Sequence, residues 1–157
     1  MLPTTPLWSD LATYQHLLLD GVAMTLKLAA LVIISSFIGG LLLAFASKIE
    51  IAAVRKSISG FVYFIRNIPL IMLIAVIHYG IFPSFNIEAD FFVSAWVSLG
   101  LSASAYFSEI FRSGFLSIRP EEKESASVLG MSFVQQYLLV LLPLMFLRIV
   151  PSLMNQV

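Results

Sequence analysis

Leu28-Ala-Ala-Leu-Val-Ile-Ile-Ser-Ser-Phe-Ile-Gly-Gly-Leu-Leu-Leu-Ala-Phe-Ala46 runs for 19 residues without a charge. At about 1.5 Å of rise per residue, a helix of that length nearly matches a hydrocarbon core of about 30 Å. Eleven of its residues are Leu, Ile, Val or Phe. Each favours insertion by about 0.3–0.6 kcal/mol at the helix centre, which sums to several kcal/mol. Lys27 stands at the edge of the run, where its aliphatic stem can snorkel to the interface. A secretory signal would instead need a basic start, a short apolar centre and a small-residue cleavage site. The preceding flank carries Asp10 and Asp20 and no Lys or Arg before Lys27, so the run is read as a membrane span.

The rest of the chain agrees with that reading. Of its 157 residues, 59% are hydrophobic and 11% charged, and the mean hydropathy is +0.96. A soluble domain has about 25% charged residues, so much of this surface is expected to face lipid. Two further apolar runs, Ile68 to Phe82 and Phe91 to Ser108, predict an all-α membrane protein with three spans. These fall at about 26–46, 61–82 and 91–111, the second extending backward through Phe61 to Ile65 if Arg66 reaches the interface. The absence of cysteine excludes disulfides and thiolate metal sites. A net charge of zero gives no electrostatic support for a nucleic-acid partner.

Basic residues in the short loops set orientation. Lys48, Arg55 and Lys56 follow the first run, Glu88 and Asp90 follow the second, and Arg112, Arg119 and Lys123 follow the third. All three loops predict an N-terminus outside the cell and residues 112–139 inside it. Small residues also recur at helical spacing: Ser35 with Gly39, Ser36 with Gly40, Ser94-Ser98-Ser102, and Gly100-Ser104-Ser108. Such rows allow close backbone approach. They point to ordinary packing within the chain ahead of a subunit interface or translocation path.

After Ile118 the sequence changes to Arg119-Pro120-Glu121-Glu122-Lys123-Glu124. Proline suits a first helical turn, and the glutamates favour the positive end of a helix. The segment then breaks at Gly130 and resumes near Ser132, a candidate N-cap. Two short cytoplasmic helices meeting at a glycine are expected over about 119–143.

Glu124-Ser125-Ala126, three residues, Gly130, nine residues, then Val140-Leu141-Leu142-Pro143 resembles the Glu-Ala-Ala loop of bacterial ABC importer permeases. Three other stretches resemble the polar amino acid branch (His/Glu/Gln/Arg-type) of that family. They are Phe64-Ile65-Arg66-Asn67-Ile68-Pro69-Leu70, Ala105 through Gly114 with Tyr106, Glu109 and Arg112, and Pro151-Ser152-Leu153-Met154-Asn155-Gln156. Ser113 and Leu144 depart from the family's usual glycine and glutamine.

The resemblance implies a partial type I importer transmembrane domain over 1–157, with three spans, cytoplasmic coupling helices and the start of a further segment. Complete members continue through more helices, so the chain is expected to be C-terminally truncated. It implies a multi-pass permease subunit of the bacterial inner membrane, coupling ATPase closure to alternating access. The implied partners are ABC ATPase subunits, a second permease copy or homologue, an extracytoplasmic solute-binding protein, the lipid bilayer and a polar amino acid substrate. The expected docking residues are Glu124, Ser125, Ala126, Leu129, Gly130, Met131, Leu142 and Pro143. A Gly130→Asp change is expected to leave insertion intact and to uncouple transport from ATP hydrolysis.

Arg66, Asn67, Pro69, Tyr106, Glu109 and Arg112 are candidates for a translocation path or substrate contact. Against that role, Arg66 is expected to snorkel and Glu109 to pair with Arg112 at i,i+3. His78-Tyr79 fits an interfacial aromatic belt. The chain shows no phosphate loop, nucleophile elbow or metal-ligand cluster. No enzyme activity or cofactor is therefore expected on it, and ATP and Mg would reside on the ATPase. A pore-forming protein and a non-transporting membrane scaffold are the rival readings. A pore would need polar or charged rings, where the spans offer mainly Ser and Gly.

Overall fold

The computed structural model describes residues 7–154. Six helical segments follow one another: α1 (Leu7–Ala46), α2 (Ala52–Asn67), α3 (Leu70–Ser84), α4 (Phe91–Ser117), α5 (Pro120–Val128) and α6 (residues 133–154). Among the described residues, two helices are long and apolar enough to cross a bilayer by themselves. One is Tyr14–Ala46, with mean hydropathy 2.5, and the other is Phe91–Ser117, with 1.3. The Asn155-Gln156 end of the last resemblance lies outside the described residues.

The segment predicted as one span over 61–82 is broken. α2 and α3 meet at 107°. Pro69 disfavours helical backbone at the residue before it, and Ile68 is accordingly extended, with ψ 128°. Pro69 also has no N–H for the helical ladder. α2 therefore crosses α4, with Ser59 and Val62 near Ser108, Glu109 and Arg112. α3 instead returns along the first half of α4, where His78 Nδ1 lies 2.7 Å from Ser94 Oγ. The apolar run is real, but its backbone cannot continue straight through X-Pro.

α1 and α4 pack through the small-residue rows. A Cβ at Gly40 would lie 2.5 Å from Phe107 Cβ and 3.1 Å from both Ser104 O and Ser108 N, and one at Gly100 would lie 3.1 Å from Ser35 Oγ. Buried serines do not stay unpaired there. Ser98 Oγ donates to Ser94 O at 2.6 Å, Ser104 Oγ to Gly100 O at 2.6 Å, and Ser108 Oγ to Ala105 O at 2.8 Å. Where α1, α4 and α6 converge, Ala44, Phe111, Phe115, Ile118, Leu141, Met145 and Ile149 form one core. Phe37 stacks on Phe146 at 5.8 Å and meets Phe111 edge-on at 5.2 Å above it. A second core joins α2, α3 and α4 through Val62, Ile65, Leu73, Ile77 and Ala105. Large apolar side chains such as Leu42, Ile71 and Leu147 stay exposed, as a lipid-facing surface requires.

Proline shapes both remaining apolar helices. A π-helical turn spans Val76–Ile81 just before Phe82-Pro83, and another spans Gln136–Leu141 just before Leu142-Pro143. The closing N–H groups reach back five residues, from Phe82 to Ile77 O and from Leu142 to Tyr137 O. A proline inside an α-helix lacks its own N–H and crowds the carbonyl four residues earlier. A widened turn accommodates both effects without ending the helix.

Candidate functional site

The α5 segment is built by local signals. Pro120 occupies the first turn, and the Glu122 carboxylate accepts the Arg119 N–H at 2.9 Å. Glu122 thus closes the helix start. The Glu122 carboxyl is held below its ordinary pKa, first by the Arg119 N–H and, against some desolvation, by the Arg148 guanidinium. Ser125 Oγ donates to Glu121 O at 2.7 Å. The helix ends where Gly130 adopts φ +71°, a left-handed conformation that a Cβ disfavours. Ser132 then starts α6. Its N–H donates to Gln135 Oε1 at 2.9 Å, and its Oγ accepts the Gln135 N–H at 3.4 Å, a reciprocal capping box. The expected turn at a glycine is present, but α6 is one helix through residue 154 and not a second short one.

The expected docking residues divide by exposure. Ala126 is buried at 2% against its own chain. Glu121, Glu124, Ser125, Val128 and Leu129 line one shallow groove, with Val128 86% and Leu129 72% exposed. Gly130 is exposed, while Met131 and Leu142 are half-buried and Pro143 is exposed. Leu142 packs against the core where α1, α4 and α6 meet, and Pro143 directly follows the widened turn of Gln136–Leu141, so both shape α6 itself. Glu124, Ser125, Leu129 and Gly130 remain as a surface that another protein can reach.

The polar candidates of the spans fall into two groups. Arg66 is exposed and lies 4.9 Å from the Tyr106 ring centroid, with Tyr106 Oη donating to Arg66 O at 3.4 Å. Asn67 is turned back on its own helix, donating to Tyr63 O at 2.7 Å, and Pro69 makes the bend. Glu109 and Arg112 pair at 2.6 Å as the i,i+3 spacing predicts. That pair faces Ser59, Ile58 and Ser47, apart from the Arg66–Tyr106 contact. Among the described residues no group of His, Cys, Asp and Glu could hold a metal ion.

Sequence reasoning passed over Arg148. It lies inside the apolar helix α6, yet its guanidinium donates to Ser117 O and binds Glu122 Oε1 at 2.6 Å. The available signal was the charge itself, since an Arg within an apolar helix carries an insertion cost of about 2.5–3.5 kcal/mol. Lys48 was assigned only to orientation. It lies 3.5 Å from the Phe115 ring centroid and 5.2 Å from that of Tyr137. Desolvation and then nearby Lys123 lower its pKa to about 8.

Known proteins resemble this chain in sequence and overall fold. The family model for the binding-protein-dependent transport system inner membrane component matches residues 36–157. The glutamate/aspartate import permease protein GltK of Escherichia coli O6:H1 is 30% identical, over 95% of this chain and 70% of that protein. The L-cystine transport system permease protein TcyB of Bacillus subtilis is 33% identical, over 91% of this chain and 61% of its own length. The arginine transport system permease protein ArtQ of the same organism is 32% identical, over 88% and 64%. The chain therefore spans between 61% and 70% of the length of these relatives. A solved amino acid ABC transporter with histidines superposes with a TM-score of 0.79 at 28% identity, covering 98% of this chain and 71% of the other.

Proposed function

Because the chain belongs to the family of binding-protein-dependent transport system inner membrane components, we propose that it is the permease subunit of an ATP-driven ABC importer for polar amino acids. In this reading it couples closure of an ATPase dimer to alternating access. ATP and Mg are bound by separate ATPase subunits, a second permease copy or homologue completes the pathway, and an extracytoplasmic solute-binding protein delivers the amino acid. The substrate class rests on relatives named for glutamate/aspartate, cystine and arginine. The chain sits in the bacterial inner membrane with its N-terminus outside, an orientation supported by Lys48, Arg55 and Lys56 on one side and Glu88 and Asp90 on the other.

The observation that carries this reading is the α5 elbow. A short acidic helix buries Ala126 against the chain, ends at a left-handed glycine and leaves Val128 and Leu129 bare beside Glu124. Adjacent bare apolar side chains next to an acid suit a protein groove with an apolar floor and a basic rim. A pore is less well supported, because Gly40, Gly100, Ser104 and Ser108 are used in α1–α4 contact. The test is detergent co-purification with the cognate ATPase. Wild type is expected to retain it, and a Glu124→Lys, Leu129→Asp variant to lose it while still inserting. Equal retention by both would remove the elbow from the docking role.

A further inference from the structure

We propose that Arg148 is a positioning residue that staples the α5 elbow to both helices it must move, so that the three travel as one lever. This inference rests on the permease reading given above. Three backbone directions meet at its guanidinium. α4 ends at Ser117, whose carbonyl accepts from Arg148, and α5 begins three residues later. The last carbonyls of a helix have no partner within it, and they form its negative end, where a cation is favoured. The same guanidinium binds Glu122 Oε1 at 2.6 Å, while Glu122 Oε2 accepts the Arg119 N–H at 2.9 Å. Glu122 therefore spends one oxygen on starting α5 and the other on tying it to α6.

Position on α6 explains why this residue can do so. Leu141, Met145 and Ile149 lie on the α6 face that packs against Phe111, Phe115 and Ile118, and Arg148 is adjacent to that face. A Cβ at Gly114 would collide with Ile149 and Met145, so α4 and α6 are in close contact beside the staple. The planar fork of Arg can hold a carbonyl and a carboxylate together, whereas a Lys ammonium is a point charge on a flexible stem. Without the staple, α5 keeps the buried contact of Ala126 but is otherwise joined to α4 by the linker at Ile118-Arg119 and to α6 through Gly130, two points at which the backbone can turn.

The test uses the assembled transporter in proteoliposomes, with spin labels at Ser127 and Val150 in a parallel sample. Wild type is expected to show one Ser127–Val150 distance distribution, unchanged between nucleotide-free and ATP-bound states. Arg148→Gln is expected to broaden it and to lower solute moved per ATP hydrolysed by about two- to thirtyfold, the span of coupling energies in such networks. Basal ATP hydrolysis should be spared. Arg148→Lys and Glu122→Gln, which perturb the chain less, should fall between; they decide the matter if Arg148→Gln does not assemble. An unchanged coupling ratio in the assembled variants would overturn the staple. So would a wild-type Ser127–Val150 distance that shifts on ATP binding. A wild type that neither holds an ATPase nor moves solute would instead overturn the permease reading.

Discussion

Gly130 offers a way to separate shape from charge at the elbow. Its φ is +71°, and a Cβ built on it meets no atom within 4 Å. Substitution therefore costs nothing in packing, and its whole effect within the chain comes from the backbone. A residue with a Cβ in the left-handed region costs about 1–2 kcal/mol, while Asn and Asp visit it more readily. A β-branched residue there is a true outlier. Gly130→Val should accordingly deplete the native elbow by a factor of about 5–30, whereas Gly130→Asn should change it little. Gly130→Asp adds something else, a negative charge beside the groove that already holds Glu121 and Glu124. In proteoliposomes of the assembled transporter, uptake and ATP hydrolysis are measured together. Gly130→Asn should stay near wild type, and Gly130→Val should lose coupled uptake at normal membrane insertion. Gly130→Asp should lose it too, in a way that added salt partly restores. Wild-type coupled uptake by Gly130→Val would refute the claim that the left-handed turn sets the docking geometry.

Gly40→Ala should destabilise the α1–α4 contact by about 1–3 kcal/mol, because its Cβ meets backbone atoms of α4 that cannot give way. Gly80→Ala, with open space around the new Cβ, should be neutral or stabilising by up to about 1 kcal/mol. Thermal unfolding in detergent compares the two. Lys48, with a pKa lowered to about 8, should react with an amine-directed reagent with a half-maximal rate near that pH. A free lysine titrates at about 10.4. Below about pH 8 the folded and unfolded chains both carry this proton and the burial cost is fully present. Between about 8 and 10.4 the unfolded chain holds the proton more tightly, so stability should rise with pH over that window. Phe115→Leu, which removes one ring beneath the ammonium, should shift the reactivity profile; an unchanged profile would count against the ring contact as part of that environment.

The first and third apolar runs and the elbow were legible because each rests on a local signal. Leu28 to Ala46 is long and apolar enough to cross a bilayer, Pro120 with its glutamates starts a helix, and Gly130 ends it. The break at Ile68-Pro69 was present in the sequence but hidden beneath an apolar run, since hydropathy records side chains while the bend arises from a missing N–H and a steric limit on Ile68. Both π-helical turns are a longer-range consequence of proline, relieved several residues upstream of Pro83 and Pro143. Arg148 was the least legible. Its partners are 26 and 31 residues away, and the i,i+3 and i,i+4 logic that found Glu109 with Arg112 has no reach at that separation. A cation in an apolar helix nevertheless signals that a partner exists.

These features place stiffness and compliance at different points of one element. The α5 start is fastened twice, through Glu122 to the Arg119 N–H and to Arg148. Its end carries no ion pair among the described residues: Ala126 is buried against the chain, the Gly130 N–H donates to Ser127 O at 3.0 Å, Gln136 Nε2 donates to Met131 O at 2.8 Å, and the Ser132 capping box follows. A lever with both ends fastened would resist any rearrangement of its partner, and one with neither would absorb an applied displacement. In the proposed permease, fastening the start would direct motion of α5 into α4 and α6, while the glycine would let the exposed Val128-Leu129 tip adjust to the ATPase. On this reasoning a stiffening change at Gly130 and a loosening change at Arg148 should both reduce coupling. The first should do so by weakening docking and the second by leaving docking intact, which co-purification distinguishes.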